Sequence, residues 1–350
     1  MAGGKTSLSR LESEGEELPA VICADRFYMT DEAMRDLESK GKVIWADCKN
    51  EYELVEKVRN TNANVIISEY CKITGRVMDA SQFLKGVVVW GVGYDHVDVA
   101  AASDRGIYVA NTRGSNAESV AEHAFALMLV LSRKLLRTDA FVRKGGWVSR
   151  EEAGLPHELM AHDLYGKTIG IVGFGAIGSS IARTAHGFGM HVLAFDPYAS
   201  VEAAKKKEVE FIDLKKLLME SDFVTLHVVL TEETRGMIST RELGLMKPTA
   251  YLINASRGPV IDEEALIRAL KEKKIGGVGL DVFAKEPIDL ENPLLKFDNV
   301  VVTPHCAGNS EEALKATALM VSQEAKRILR DEIPKNLVNK PQLLKRGSIR

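Results

Sequence analysis

The stretch TIGIVGFGAIGSSIARTAHGFGMHVLAFDP, residues 168–197, decides how this 350-residue chain folds. TIGIVGFG (168–175) is a strand running into a tight turn. The glycines at 173, 175 and 178 open a run of helical spacing over 177–188, and HVLAF (191–195) is a second strand ending on Asp196 and Pro197. The order strand, glycine turn, helix, strand is that of a dinucleotide-binding βαβ unit. Gly173 permits the tight turn, Gly175 lets backbone approach a pyrophosphate, and Gly178 lets the helix lie close on the strand. Amide groups near Ala176 and Ile177 then turn the positive end of the helix dipole towards the phosphates. A carboxylate at Asp196 accepts from both ribose hydroxyls and repels a 2′-phosphate, which favours NAD over NADP. The plainer alternative is that Asp196 only ends its strand in an Asp-Pro turn.

Working outward, the same alternation continues in both directions. Towards the C-terminus, FVTLHV (223–228), AYLINA (250–255), GVGLDV (277–282) and NVVVT (299–303) read as parallel strands, apolar enough to be covered on both faces. Helices are expected at 213–220, 262–274 and 310–331, with Asp262 as an N-cap and Gly276 as a stop. Towards the N-terminus, AVICA (20–24), KVIWA (42–46), NVIIS (64–68), GVVVW (86–90) and IYVA (107–110) alternate with helical stretches at 31–40, 51–60 and 74–84. Between the two units, one long helix is expected from Asn116 to about Lys144. Its apolar positions Val120, Ala124, Leu127, Met128, Leu131 and Leu135 recur at three and four. The fold class is therefore α/β, with two Rossmann-like domains built on doubly wound parallel sheets.

Hydrophobic residues make up 45% of the chain and charged residues 27%, the mix of a soluble globular protein. A formal net charge of -3 gives no field that would recruit nucleic acid or an anionic membrane, and the local run Lys205–Lys207 suits a solvated helix. Cys23, Cys48, Cys71 and Cys306 are scattered with no CxxC pair, which argues against disulfides and zinc and fits a cytoplasmic setting. No signal-peptide stretch and no apolar run of membrane-spanning length is present. Residues 1 to about 18 and the basic end from Lys340 are expected to fray.

Three charged residues each follow a strand of the second unit: Arg257, Glu286 and His305. The carboxyl ends of parallel strands line the ligand crevice, so the three can converge beside a nicotinamide. Their chemistry is complementary. Histidine gives and takes a proton near neutral pH, a carboxylate fixes its tautomer, and arginine grips a carboxylate in a fork. Those are the needs of 2-oxo acid reduction.

The blocks GVGYDHVDV (91–99), NTRGSNAESVAEH (111–123), VGFGAIG (172–178), HVVLTEETRGMI (227–238), NASRGPVID (254–262), GLDVFAKEP (279–287) and TPHCAG (303–308) resemble the D-isomer-specific 2-hydroxyacid dehydrogenases. The resemblance runs from about 19 to 338. It implies His305 as acid/base, Glu286 as its paired carboxylate and Arg257 as the substrate-binding arginine. It further implies that the Val92–Gly93 backbone holds the substrate carboxylate and that Asp281 lies near the nicotinamide amide. By the same resemblance a substrate-binding domain, 1–115 completed by 333–350, faces an NAD-binding domain, 116–309, across a cleft that holds the active site. Residues 310–332 form a connecting helix. The assembly implied is a homodimer through the region after Asn116, and the partner is a small 2-oxo or 2-hydroxy acid, with no metal, nucleic acid or membrane.

Arg113 and Val229 stand where prolines are usual in that family. The loop IISEYCKITG (66–75) lacks the basic residue near Ser68 that helps hold a phosphate in phosphoglycerate dehydrogenases, and no regulatory domain follows. Both lean towards an unphosphorylated acid of the glyoxylate or hydroxypyruvate type. Phosphoglycerate dehydrogenase and an NAD-sensing corepressor-like binding protein are the alternatives. Formate dehydrogenases, with glutamine at the position of Glu286, are set aside. His96 and His123 read as hydrogen-bonded structural histidines, and Cys306 as a packed residue rather than a nucleophile.

Overall fold

A computed structural model describes residues 18–148, 156–199 and 208–347, and the run Lys205–Lys207 and the first seventeen residues lie outside them. The first domain contains strands β1 (Ala20–Cys23), β2 (Lys42–Trp45), β3 (Val65–Ser68), β4 (Gly86–Val89) and β5 (Tyr108–Ala110). They form one parallel sheet in the order β2-β1-β3-β4-β5. Helices α1 (Asp31–Glu38), α2 (Glu51–Thr61), α3 (Gly75–Met78) and α4 (Val99–Asp104) make the connections. The order reverses between β1 and β3, so the loops leaving those two strands border a crevice.

Two helices then lead into the second domain, α5 (Ala117–Ser132) and α6 (Leu135–Arg143). The second sheet has seven parallel strands in the order β12-β11-β10-β9-β6-β7-β8. Their ranges are β6 (Thr168–Val172), β7 (His191–Phe195), β8 (Glu210–Phe211), β9 (Phe223–Leu226), β10 (Tyr251–Asn254), β11 (Gly277–Leu280) and β12 (Val300–Val302). Among its helices are α7 (Ala176–Gly187), α8 (Leu214–Glu220), α9 (Thr240–Leu245) and α10 (Glu263–Lys271). The reversal falls at β6, the strand that runs into the glycine turn. Two apolar layers sandwich this sheet. One gathers Leu217, Leu252, Leu266 and Val278; the other gathers Phe125, Met128, Ile171 and Ile181.

After the second sheet the chain returns. Helix α11 (Glu311–Leu329) lays Ala318, Val321, Ala325 and Ile328 on one face of the first sheet, against Val21, Val65 and Val88. Burying each such branched side chain contributes about 1.5–3 kcal/mol. Helix α12 (Lys340–Lys345) follows.

The structure corrects several expectations. The helix foreseen over 116–144 is two helices, broken at Lys134 with φ 53°. The Ser132 carbonyl, which a continuous helix would use, accepts from the His162 amide (2.9 Å), and the Lys134 side chain donates from Nζ to the Glu158 carbonyl (2.9 Å), so the loop before β6 is tied down at the break. α5 is buried, whereas α6 has no buried residue and Leu135 is exposed. The helix at 74–84 shrinks to α3. Gly276 does not stop α10, which ends at Lys271 with Lys273 at φ 54°. A Cβ on Gly276 would lie 2.7 Å from the Thr249 carbonyl oxygen, so this glycine serves close strand packing instead. The segment from Lys340 does not fray through residue 347. Val338 N–H donates to the Val109 carbonyl (2.7 Å), and the buried Asn339 side chain bonds both Val109 N–H (3.0 Å) and the Ile107 carbonyl (2.9 Å).

Candidate active site

The glycine turn obeys steric rules that can be checked atom by atom. Gly173 has φ 95°, and a Cβ there would lie 2.5 Å from the His227 carbonyl oxygen. A Cβ on Gly178 would lie 2.3 Å from the Gly173 carbonyl oxygen, closer than real atoms approach. Gly175 is different, because nothing lies within 4 Å of its Cβ position. Its own fold leaves room there, on the side facing the cleft. Gly175 is also the N-cap of α7 and offers no side chain to the first amides of that helix. These uncapped donors, at the positive end of a twelve-residue helix, fit a pyrophosphate. A cavity of about 830 Å³ lies over them, lined by Gly173, Gly175, Ala176, Ile177 and Asp196. The residues therefore fit a dinucleotide.

Asp196 closes the Asp-Pro turn expected of it and also reaches the glycine turn. Its Oδ1 accepts from Tyr198 N–H (2.8 Å), closing the Asp-Pro turn, and its Oδ2 accepts from Phe174 N–H (2.8 Å), bracing the glycine turn. Each oxygen can accept a further hydrogen bond, and Asp196 lines the cavity.

Arg257, Glu286 and His305 sit beyond the carboxyl ends of β10, β11 and β12. Arg257 and His305 line a second cavity of about 170 Å³ with Val92, Gly93 and Asp281. Glu286 stands behind His305, with its Oε2 on His305 Nδ1 at 2.7 Å and its Oε1 accepting from Phe283 N–H at 2.9 Å. Burial pushes the Glu286 carboxyl upwards, but the hydrogen bonds from His305 and Phe283 and the charge of Arg257 hold it below its ordinary value. His305 has φ 52°, and its N–H is anchored on the Asp281 carbonyl (2.8 Å).

The substrate-side turn and the arginine meet directly. A Cβ on Gly93 would lie 1.8 Å from Arg257 Nη2, so the guanidinium packs on bare backbone there. Arg257 Nε donates to Asp95 Oδ1 (2.9 Å) and Nη1 to the Ser256 carbonyl (2.9 Å), which crosses the cleft and aims the fork. Five guanidinium N–H groups less these two leave three without a hydrogen-bond partner among the described residues, available to a ligand.

Asp281 borders the cavity but is 1% exposed. Its Oδ1 accepts from the Thr303 hydroxyl (2.6 Å) and Cys306 N–H (2.9 Å), and its Oδ2 from Ala307 N–H (2.9 Å). It braces the segment that carries His305. His123 bonds Thr303 Oγ1 at 2.9 Å, and His123, Asp281 and Cys306 come within 4.8 Å of one another. With the Asp281 oxygens occupied and burial holding the Cys306 thiol up, this trio is a hydrogen-bonded support. His96 is less satisfied than its sequence reading suggests, since its buried Nε2 meets no partner among the described residues.

Sequence reasoning missed Glu69, Asp95 and His227 as cavity residues. Asp95 lies inside the block GVGYDHVDV, read only for its backbone, and its pairing with Arg257 spans 162 positions. His227 follows β9, and burial drives its imidazole down to about 3, so it is neutral.

A two-domain α/β fold, a dinucleotide turn and a histidine–carboxylate pair facing an arginine define a nicotinamide-dependent oxidoreductase. The profile of the D-isomer specific 2-hydroxyacid dehydrogenase NAD-binding domain matches residues 125–307. A glyoxylate reductase of Korarchaeum cryptofilum is 46% identical over 286 residues, covering 82% of this chain and 85% of that protein. A D-3-phosphoglycerate dehydrogenase of Methanocaldococcus jannaschii is 39% identical over 314 residues, 89% of this chain but 58% of that protein. Among solved structures, an NADPH-dependent glyoxylate/hydroxypyruvate reductase of Sinorhizobium meliloti, with NADP and malonate, superposes with a TM-score of 0.81 at 29% identity, covering 93% of this chain and 97% of that one. The chain belongs to the D-isomer specific 2-hydroxyacid dehydrogenase family. Among the described residues no helix is long and apolar enough to cross a membrane.

Proposed function

We propose that the protein reduces a short, unphosphorylated 2-oxo acid of the glyoxylate or hydroxypyruvate type to the D-2-hydroxy acid, with NADH as reductant. The observation that carries this reading is the 2.7 Å contact between His305 and Glu286, in a cavity shared with Arg257 and the Val92–Gly93 turn. The three remaining N–H groups of Arg257, with the amides of that turn, hold the substrate carboxylate. Glu286 binds Nδ1 of His305 and so leaves Nε2 to give its proton to the carbonyl oxygen as the hydroxyl forms. A nicotinamide bound in the neighbouring cleft supplies the hydride. Asp95 keeps the guanidinium aimed, and closure of the two domains excludes water.

We take Gly173, Gly175, Ala176, Ile177 and Gly178 as the pyrophosphate turn, Asp196 as the ribose ligand, and Asp281 as an acidic residue near the nicotinamide amide. Asp196 favours NAD by its charge, although the Sinorhizobium relative uses NADPH. We take the domains as 1–115 with 333–350 and 116–309, joined by 310–332; the packing of α11 on the first sheet supports counting that helix with the substrate side. The proposed assembly is a homodimer through the exposed apolar residues Leu135, Leu136, Val142, Trp147 and Val148.

Steady-state rates with NADH and NADPH against glyoxylate, hydroxypyruvate, pyruvate and phosphohydroxypyruvate test the reading. The expected outcome is turnover of the unphosphorylated acids with NADH preferred, and a relaxed preference in Asp196→Ala. No turnover of any acid would favour an NAD-sensing binding protein instead.

A further inference from the structure

The loop after β3 is built round one carboxylate from the loop after β1. Asp25 Oδ2 accepts from the Ser68 hydroxyl (2.9 Å), Glu69 N–H (2.8 Å) and Tyr70 N–H (3.3 Å), and Oδ1 accepts from Cys71 N–H (3.0 Å). Four donors on one side chain fix the backbone of residues 68–71, and with it the root of the Glu69 side chain. Glu69 and Tyr70 line the small cavity opposite Arg257 and His305.

The anions of this cavity are otherwise engaged. Asp95 is bound to Arg257, Asp281 is filled by its own segment, and Glu286 lies behind His305. Glu69 is the carboxyl at the wall that no cation of the protein neutralises by an ion pair among the described residues. Burial, reinforced by the charge of Asp25, pushes its carboxyl up to about 7, while the Tyr70 hydroxyl and the His305 charge pull it the other way. At that value the carboxyl divides between its neutral and ionised forms near neutral pH, and a hydrogen-bond donor on the ligand favours the ionised, accepting one. A second ligand anion beside it is disfavoured.

A bound 2-oxo acid has its carboxylate on Arg257 and its carbonyl oxygen on His305. The substituent on the far side of the carbonyl carbon then points away from both. We propose that Glu69 is a specificity-determining residue that accepts a hydrogen bond from a hydroxyl on the carbon next to the carbonyl, so that 3-hydroxy-2-oxo acids are the preferred substrates. This rests on the reading of the cavity as the site of 2-oxo acid reduction. It adds a positive reason for a hydroxylated acid to the missing phosphate-binding base noted in the same loop.

The test compares kcat/KM for hydroxypyruvate, pyruvate, glyoxylate and phosphohydroxypyruvate in the wild type, Glu69→Gln and Glu69→Leu. A hydrogen bond to a charged acceptor is worth about a factor of ten or more in discrimination. The hydroxypyruvate-to-pyruvate ratio is therefore expected to exceed unity in the wild type and to fall about tenfold or more in Glu69→Leu. Glu69→Gln, which keeps an acceptor without the charge, should fall between, and phosphohydroxypyruvate should gain relative to hydroxypyruvate in both variants. A ratio that stays within about twofold, or rates that fall equally for all four acids, would overturn the role of Glu69. If Glu69→Leu does not fold, the near-isosteric Glu69→Gln decides. A wild type inactive on all four acids would remove the reductase reading itself, a result distinct from turnover with an unmoved ratio.

Discussion

At the scale of single residues, His305 depends on a short chain of hydrogen bonds: Phe283 N–H to Glu286, and Glu286 to the ring. The chain fixes which nitrogen faces the cavity, so the loss of the imidazole cannot be made up by a neighbour. His227, the other imidazole at the wall, is kept neutral by burial. His305→Ala should lower kcat by about 10²- to 10⁴-fold, the usual worth of a positioned general acid. The affinity for NADH, followed by fluorescence titration, should change little because the glycine turn is untouched; an unaltered kcat would refute the assignment. Arg257, Glu286 and His305 were legible because each follows an apolar run and carries chemistry that the others complement. Glu69 was not. Its significance comes from burial and from what stands across the cavity, neither of which a linear pattern contains.

At the scale of elements, the contact between β6 and α7 depends on the absence of one methyl group. A Cβ on Gly178 would meet the Gly173 carbonyl oxygen, which is backbone and cannot turn aside. Gly178→Ala should shift α7 away from the turn, weakening NADH binding by about tenfold or more, with a loss of about 1–3 kcal/mol of stability from overpacking. Calorimetric titration and thermal unfolding would measure the two. Equal affinity and stability would mean that the turn relaxes without cost. The strands were legible because nearly all are unbroken apolar runs, and β8, two residues long, was the exception. The break at Lys134 was hidden because the apolar spacing runs through it, and the groups that interrupt the helix come from residues 158 and 162. The helix at 340–345 was hidden for a similar reason: a basic, proline-containing end looks frayed until Asn339 is seen buried against β5.

At the scale of the whole molecule, α6 and the segment after it carry apolar side chains that the described residues leave exposed. Leu136 is 61% exposed, Trp147 64% and Val148 79%. Clustered exposure of this kind marks an interaction surface. Sedimentation equilibrium should give twice the chain mass for the wild type and a shift to one chain mass for Leu136→Glu, and a monomeric wild type would exclude the homodimer. The position of α11 has a further consequence, for the order of events on the ribosome. The first sheet is made before the dinucleotide domain, but the helix that covers one of its faces is made after it. Val21, Val65 and Val88 must wait, exposed, while the dinucleotide domain emerges and can already complete its own two layers. The domain written second is thus free to fold first, and the nascent chain carries a sticky, half-built sheet until residues 311–329 arrive.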